Sequence, residues 1–261
     1  MKTIIPVIQL QNISTYRRAH REAGVTLIEL MIAIFITLFL IAGMLGIVVS
    51  LRGSFITQDQ LQRMQENQRF ALSVLDNTVR SAGFYTNQTT TTPQLEFTAV
   101  AAANGGGTSF AAGQTVAGFT GGVGASDTLN IRFQGDPSLG MLNCLGDSAT
   151  SGTRPIWINS FTINSSNQLT CAVGTNGAAL GAATVLVNNV ASMGVLYGIE
   201  TAAGSTFAYV PSTSVDGTTY QWGNVKSIQV RLNFQDLINA RTGTPVALAT
   251  LTHTINLMNK N

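Results

Sequence analysis

The sequence predicts an α+β fold: a long N-terminal helix whose C-terminal half packs on a mainly antiparallel β-sheet head. Three observations carry this reading. Residues 30–51 hold no charge at all. Between Leu61 and Val79 apolar side chains recur at three- and four-residue intervals. Beyond residue 126, short runs alternate apolar and polar residues with the period of a strand. With 26 glycines and only 10% charged residues, the chain of 261 suits β structure and loops better than charged surface helices.

The first 24 residues carry Lys2, Arg17, Arg18 and Arg21 against Glu22 alone. Without them the chain has 10 basic and 11 acidic residues, a net charge of −1. The basic character implied by a pI near 8.7 therefore belongs to the N-terminal peptide. No basic footprint for nucleic acid is left in the remainder, and nucleic acid is not an expected partner.

The charge-free run of 22 residues would span about 33 Å as a helix, enough to cross a hydrocarbon core of about 30 Å. The basic cluster before it orients the following domain outward, the periplasmic side in a bacterium. A secretory signal would have an apolar region of about 7–15 residues, shorter than this one. An uncleaved single-pass anchor is the stronger rival.

After Arg52 the helix becomes striped. Leu61, Met64, Gln68, Ala71, Leu72, Leu75 and Val79 mark one face, and Arg63, Glu66, Arg69 and Asp76 lie elsewhere. No proline interrupts Val25 to Arg80, and Gly83 follows a last turn carrying Arg80. One helix is expected from Val25 to Ala82, with Gly43 and Gly46 weakening its middle. The expected organisation is 1–24 leader, 25–51 membrane half of the helix, 52–85 amphipathic half, and 86–261 head.

Residues 86–126 read as polar loops, through TNQTTTTPQ, NGGGTS and GGVGAS. Gly121, Gly122 and Gly124 lack a following Lys-Ser or Lys-Thr and read as a turn, not a phosphate loop. Strands are expected in DTLNIRF (Leu129, Ile131, Phe133), NQLTCAV (Leu169, Cys171, Val173) and KSIQVRLNF (Ile228, Val230, Leu232, Phe234). Two more follow from Val185–Val187 and from Met193, Val195, Tyr197 and Ile199, and a last places Leu251, Ile255 and Leu257 in register with His253.

Cys144 and Cys171 are the two cysteines, and an outward-facing domain sits in an oxidising compartment, so a disulfide is expected. Its closed loop of 28 residues is worth about 3–4 kcal/mol in the chain-entropy model. A metal site or catalytic thiol would need more histidine or cysteine nearby, and His253 is the one histidine after the leader. His253 reads as a hydrogen-bonded core or rim residue. The later acids are scattered singly, and no Gly-x-Ser-x-Gly occurs. No enzyme, cofactor or metal is expected. Asn164-Ser165-Ser166 has the form of a glycosylation acceptor, a tripeptide frequent by chance in such loops.

The run GVTLIELM resembles the processing site of type IV prepilins, in which a dedicated peptidase cuts after the Gly and methylates the new amine. The resemblance implies that Gly24 ends the leader, that Val25 becomes the N-methylated first residue, and that Glu29 is the acid used in assembly. LQRMQENQRFAL (61–72), SAGFY (81–85), LVNNVASMGVLYGIE (186–200) and WGNVKSIQVRLNF (222–234) look like the PilW-type minor pilins. A mid-domain cysteine pair fits a minor component better than a major pilin.

That family implies a pilin-like fold and an inner-membrane protein drawn into a pilus. It implies as partners other minor pilins, the major pilin, the prepilin peptidase and a tip adhesin, with priming or tip formation as the role. Physically, an acid in the first turn can meet the new amine of a neighbouring subunit. Paired they fix axial register; unpaired, both are costly in lipid. The simpler alternative is that Glu29 snorkels to the interface. A type II secretion pseudopilin (PulJ/GspJ-like) and a tip adhesin or binding module remain alternatives.

Overall fold

Glycine and threonine set the ends of the first element. The computed structural model describes residues 24–122, 125–201, 207–215, 218–235 and 247–259. Helix α1 runs Leu27–Arg80 over 54 residues. That is two residues shorter at each end than expected. At the start, Thr26 stays outside the helix while its carbonyl accepts from Glu29 and Leu30 at 3.0 and 3.2 Å. At the end, Gly83 takes a left-handed φ of 75°, and Asn259 Nδ2 donates to the Arg80 and Ala82 carbonyls at 3.5 and 3.4 Å. The helix runs unbroken through Gly43 and Gly46, where an added Cβ would meet nothing within 4 Å.

The chain divides between Phe55 and Ile56 into two units. In the first, the described residues are exposed from Gly24 onward, although almost all of α1 there is apolar. Its few hydroxyls are satisfied locally: Thr37 Oγ1 donates to the Ala33 and Ile34 carbonyls at 2.7 and 2.9 Å. Along its interior a helix pairs its own backbone N–H and C=O groups, which is what lipid demands.

The second unit holds two antiparallel sheets where one was expected. The first is a meander of β1 (Val116–Phe119), β2 (Thr128–Gln134), β3 (Ile156–Ile163), β4 (Gln168–Thr175) and β5 (Thr184–Asn188), in that spatial order. The other is built from β6 (Val190–Glu200), β7 (Phe207–Val210), β8 (Val225–Gln235) and β9 (Ala247–Asn256), ordered β7-β6-β8-β9. Asp127 ties them together. Its carboxylate accepts from the Gly121 and Val195 N–H groups at 2.9 and 2.7 Å, and its own N–H donates to the Met193 carbonyl at 2.8 Å.

One core joins both sheets to the helix. Ala71, Leu75 and Val79 of α1 are buried with Leu129, Ile131 and Phe133 of β2, Val195 and Tyr197 of β6, and Ile228, Val230, Leu232 and Phe234 of β8. The expected stripe is therefore half right. Its C-terminal members enter the core, whereas Leu61 is exposed and Met64, Gln68 and Leu72 are half-buried.

The stretch 86–126 is more structured than its composition suggests. It contains a one-turn helix α2 (Pro93–Glu96), a β-bridge between Val100 and Phe110, and strand β1. Its middle covers the outer face of β2 and β3, where Val100, Phe110, Ala117 and Ile158 form a second, smaller core. The β2 strand is thus buried on both faces. Asn130, on the polar face, donates to the Gly105 carbonyl at 2.9 Å and to Thr108 Oγ1 at 2.7 Å.

Candidate functional site

The residues singled out for processing and assembly stand together at the start of α1. Gly24, Val25 and Thr26 are exposed and non-helical, and the first intrahelical hydrogen bonds begin at the Thr26 carbonyl. The Gly24–Val25 peptide bond therefore lies outside the helical ladder. Glu29 occupies the first turn and is exposed. Among the described residues no cation lies within ion-pair distance of its carboxylate.

Thr26 is a residue that sequence reasoning missed. Its Oγ1 accepts from the Glu29 N–H at 3.4 Å, the long end of a capping interaction. The pattern Thr-x-x-Glu at 26–29 is the signature of a capping box and was available from the sequence. The acid also sits where the helix dipole favours negative charge, an effect of about 0.3–1 kcal/mol. Glu29 therefore has a local reason to be tolerated in the first turn, apart from any partner.

The disulfide joins Cys144 to Cys171, with Cα atoms 6.4 Å apart. Cys171 lies on the core face of β4 beside Phe161 of β3, and Cys144 is tethered by its N–H to Asn159 Oδ1 at 2.8 Å. The bridge pins the 135–155 connection to the middle of the first sheet. Near it, Asp136 accepts from Ser138 through both N–H and Oγ at 2.9 and 2.6 Å, and from Thr86 and Arg154. These donors, Ser138 first, hold its carboxyl down at about 2.

His253 stands at the rim of the core, its Nε2 3.4 Å from Asp76 Oδ1 across α1 and β9. Arg80 also bonds Asp76, and that contact, then His253, keeps the Asp76 carboxyl below its usual range despite partial burial. Among the described residues no group of three or more His, Cys, Asp or Glu gathers to hold a metal. Asn164 is spent structurally: its side chain accepts from the Ser166 and Gln168 N–H groups at 3.0 Å and donates to Gln168 Oε1 at 2.8 Å, closing the β3–β4 turn. Gly121 and Gly122 lie in a turn. Most of the expected leader (1–23), Gly124 and Asp236 lie outside the described residues.

Comparison with known families adds two matches. Residues 157–260, from β3 to the end of β9, match the model of the type IV pilus-assembly protein W. Residues 19–45, around Gly24, Val25 and Glu29, match the prokaryotic N-terminal methylation motif. No curated protein matches the chain.

Proposed function

This chain is a PilW-type minor pilin of a type IV pilus, and we propose that it primes pilus assembly or forms part of the tip complex with other minor pilins. The methylation motif and the apolar helix fit an inner-membrane anchor that passes to a pilus on the cell surface. A pilin interacts with other pilus components; the finer assignments are our reading. Residues 1–24 are a leader removed by a prepilin peptidase between Gly24 and Val25, and Val25 is then N-methylated. Residues 25–51 form the filament-core half of the helix, 52–85 the amphipathic half, and 86–261 the head that meets other minor pilins or a tip adhesin.

The observation that supports this most is the arrangement at residues 24–29. The scissile bond stands outside the helix, where a peptidase can bind it extended, and Glu29, in the first turn of an apolar helix, has no cation within ion-pair distance among the described residues. A carboxylate at mid-bilayer costs about 2.5–3.5 kcal/mol on insertion scales. The amine released at Val25 of a neighbouring subunit offsets that cost, and only one axial offset brings the two together. The bland reading, a carboxylate at the interface or on the helix dipole, predicts no such dependence on register.

The test is genetic and biochemical. Glu29→Ala should leave the protein in the membrane but remove it from sheared pili and from co-isolated minor pilins. Normal piliation and normal co-isolation in that strain would rule out the register role. Gly24→Val should leave the leader attached, and mature-sized protein in that mutant would dispose of the cleavage site.

A further inference from the structure

The polar face of β2 holds a cation that, among the described residues, has no carboxylate within ion-pair distance. Arg132 is 1% exposed, on β2 between the edge strand β1 and the central strand β3 of the first sheet. Its guanidinium carbon lies 5.2 Å from the Phe97 ring centroid and 5.0 Å from that of Phe110. These rings stabilise a cation through their π faces but offer its N–H groups no oxygen acceptor. Nη1 donates to the Thr98 carbonyl at 2.9 Å. Among the described residues, neither Nε nor Nη2 has a partner, and no carboxylate lies within ion-pair distance. Burial lowers the pKa only to about 10, so the side chain keeps its charge at neutral pH.

Nε and Nη2 form the side of a guanidinium that pairs with the two oxygens of one carboxylate. Arg132 lines a cavity of about 200 Å³ that opens to solvent, together with Val100, Ile156 and Ile158. Glu96 stands on the same wall, its carboxylate engaged by Gln134 Nε2. A second negative charge inside the cavity would face Glu96. That disfavours a dianionic phosphate and favours a monoanion with a short apolar body.

We infer that this cavity is a carboxylate-binding site, taking a small monocarboxylate or the free C-terminal carboxylate of an apolar-ended peptide. Its oxygens pair with Nε and Nη2 of Arg132, and its apolar part lies on Val100, Ile156 and Ile158. Neither nitrogen meets solvent directly, so capture includes a small turn of the guanidinium toward the cavity. The segment between residues 96 and 114 supplies both aromatic plates and part of the wall. This gives a purpose to a stretch that composition marks as loop.

Equilibrium dialysis of the full mature chain in detergent, with labelled isobutyrate at constant ionic strength in chloride, tests the assignment. One saturable site per chain is expected, weakened at least about tenfold by Arg132→Lys, which keeps the charge and loses the fork. Glu96→Gln preserves the acceptor for Gln134 and should tighten isobutyrate several-fold while admitting inorganic phosphate. Competition by a valine-ended peptide but not by its C-terminal amide identifies a chain end as the ligand. Competition by neither identifies a free small acid. No saturable binding to the native chain, equal binding of the neutral isobutyramide, or an unchanged affinity in Glu96→Gln would each overturn the inference.

Discussion

At the scale of single residues, two carboxylates show how neighbours decide what an acid does. Asp136 is held at about 2 by donors from Ser138, Thr86 and Arg154. Its folded pKa lies below the unfolded value of about 3.9, so its contribution is complete above that value. It should disappear as pH falls from about 4 to 2, when the folded carboxyl takes up its proton. Thermal melting of the native protein should therefore drop over that window more steeply than melting of Asp136→Asn; parallel pH profiles would contradict this. Glu29 lacks such donors to its carboxylate among the described residues, and its backbone N–H bonds Thr26. Both acids were visible as letters, but only Glu29 stood out, because an acid next to a membrane-length apolar run is conspicuous. The main donor to Asp136, Ser138, is a local cap two residues on, whereas Thr86 and Arg154 lie 50 positions earlier and 18 later, a proximity that only the fold creates.

At the scale of elements, α1 is one helix with two environments. Leu75 is fully buried against both sheets, whereas Leu61, on the same predicted stripe, is 40% exposed. Leu75→Ala should destabilise the protein by about 2–5 kcal/mol through a core cavity. Leu61→Ala should stay within about 0.5 kcal/mol. Denaturant midpoints of the two variants check this, and equal losses would mean that the stripe is buried along its whole length. The 3.6-residue period gave the face correctly, but not where along the helix the sheets stop covering it. Strands β6 and β8 were legible because one face alone is buried, leaving clean alternation at Met193 to Ile199 and Ile228 to Phe234. Strand β3 was missed because its residues do not alternate: Ile156, Trp157 and Ile158 follow one another, then Asn159 and Ser160. Burial on both faces permits such runs without imposing them, since β2 is covered on both sides and still alternates Leu129, Ile131 and Phe133 with Asn130 and Arg132.

At the scale of the whole molecule, the expected α+β class stands, with two sheets in place of one. What composition concealed was the cover. Thr-, Asn- and Gly-rich sequence between residues 86 and 126 folds over the first sheet, using Asn130 to bond the Gly105 carbonyl and Arg132 to bond that of Thr98. Polar residues on a strand read as solvent-facing until something lies across them. The Cys144–Cys171 bridge closes a loop that crosses β3. Replacing both cysteines with alanine should cost about 2–5 kcal/mol, measured by chemical denaturation, and a loss under about 1 kcal/mol would assign the bridge a minor role.

The assembly account turns on a new amine being formed beside the first turn of α1. Mass spectrometry of the N-terminal peptide of this chain, recovered from sheared pili, measures that directly. The account predicts a peptide that begins at Val25 and carries one added methyl group. A peptide that retains residues before Val25, or begins after it, would contradict the account, because Glu29 of a neighbouring subunit would then have no amine to meet at that depth.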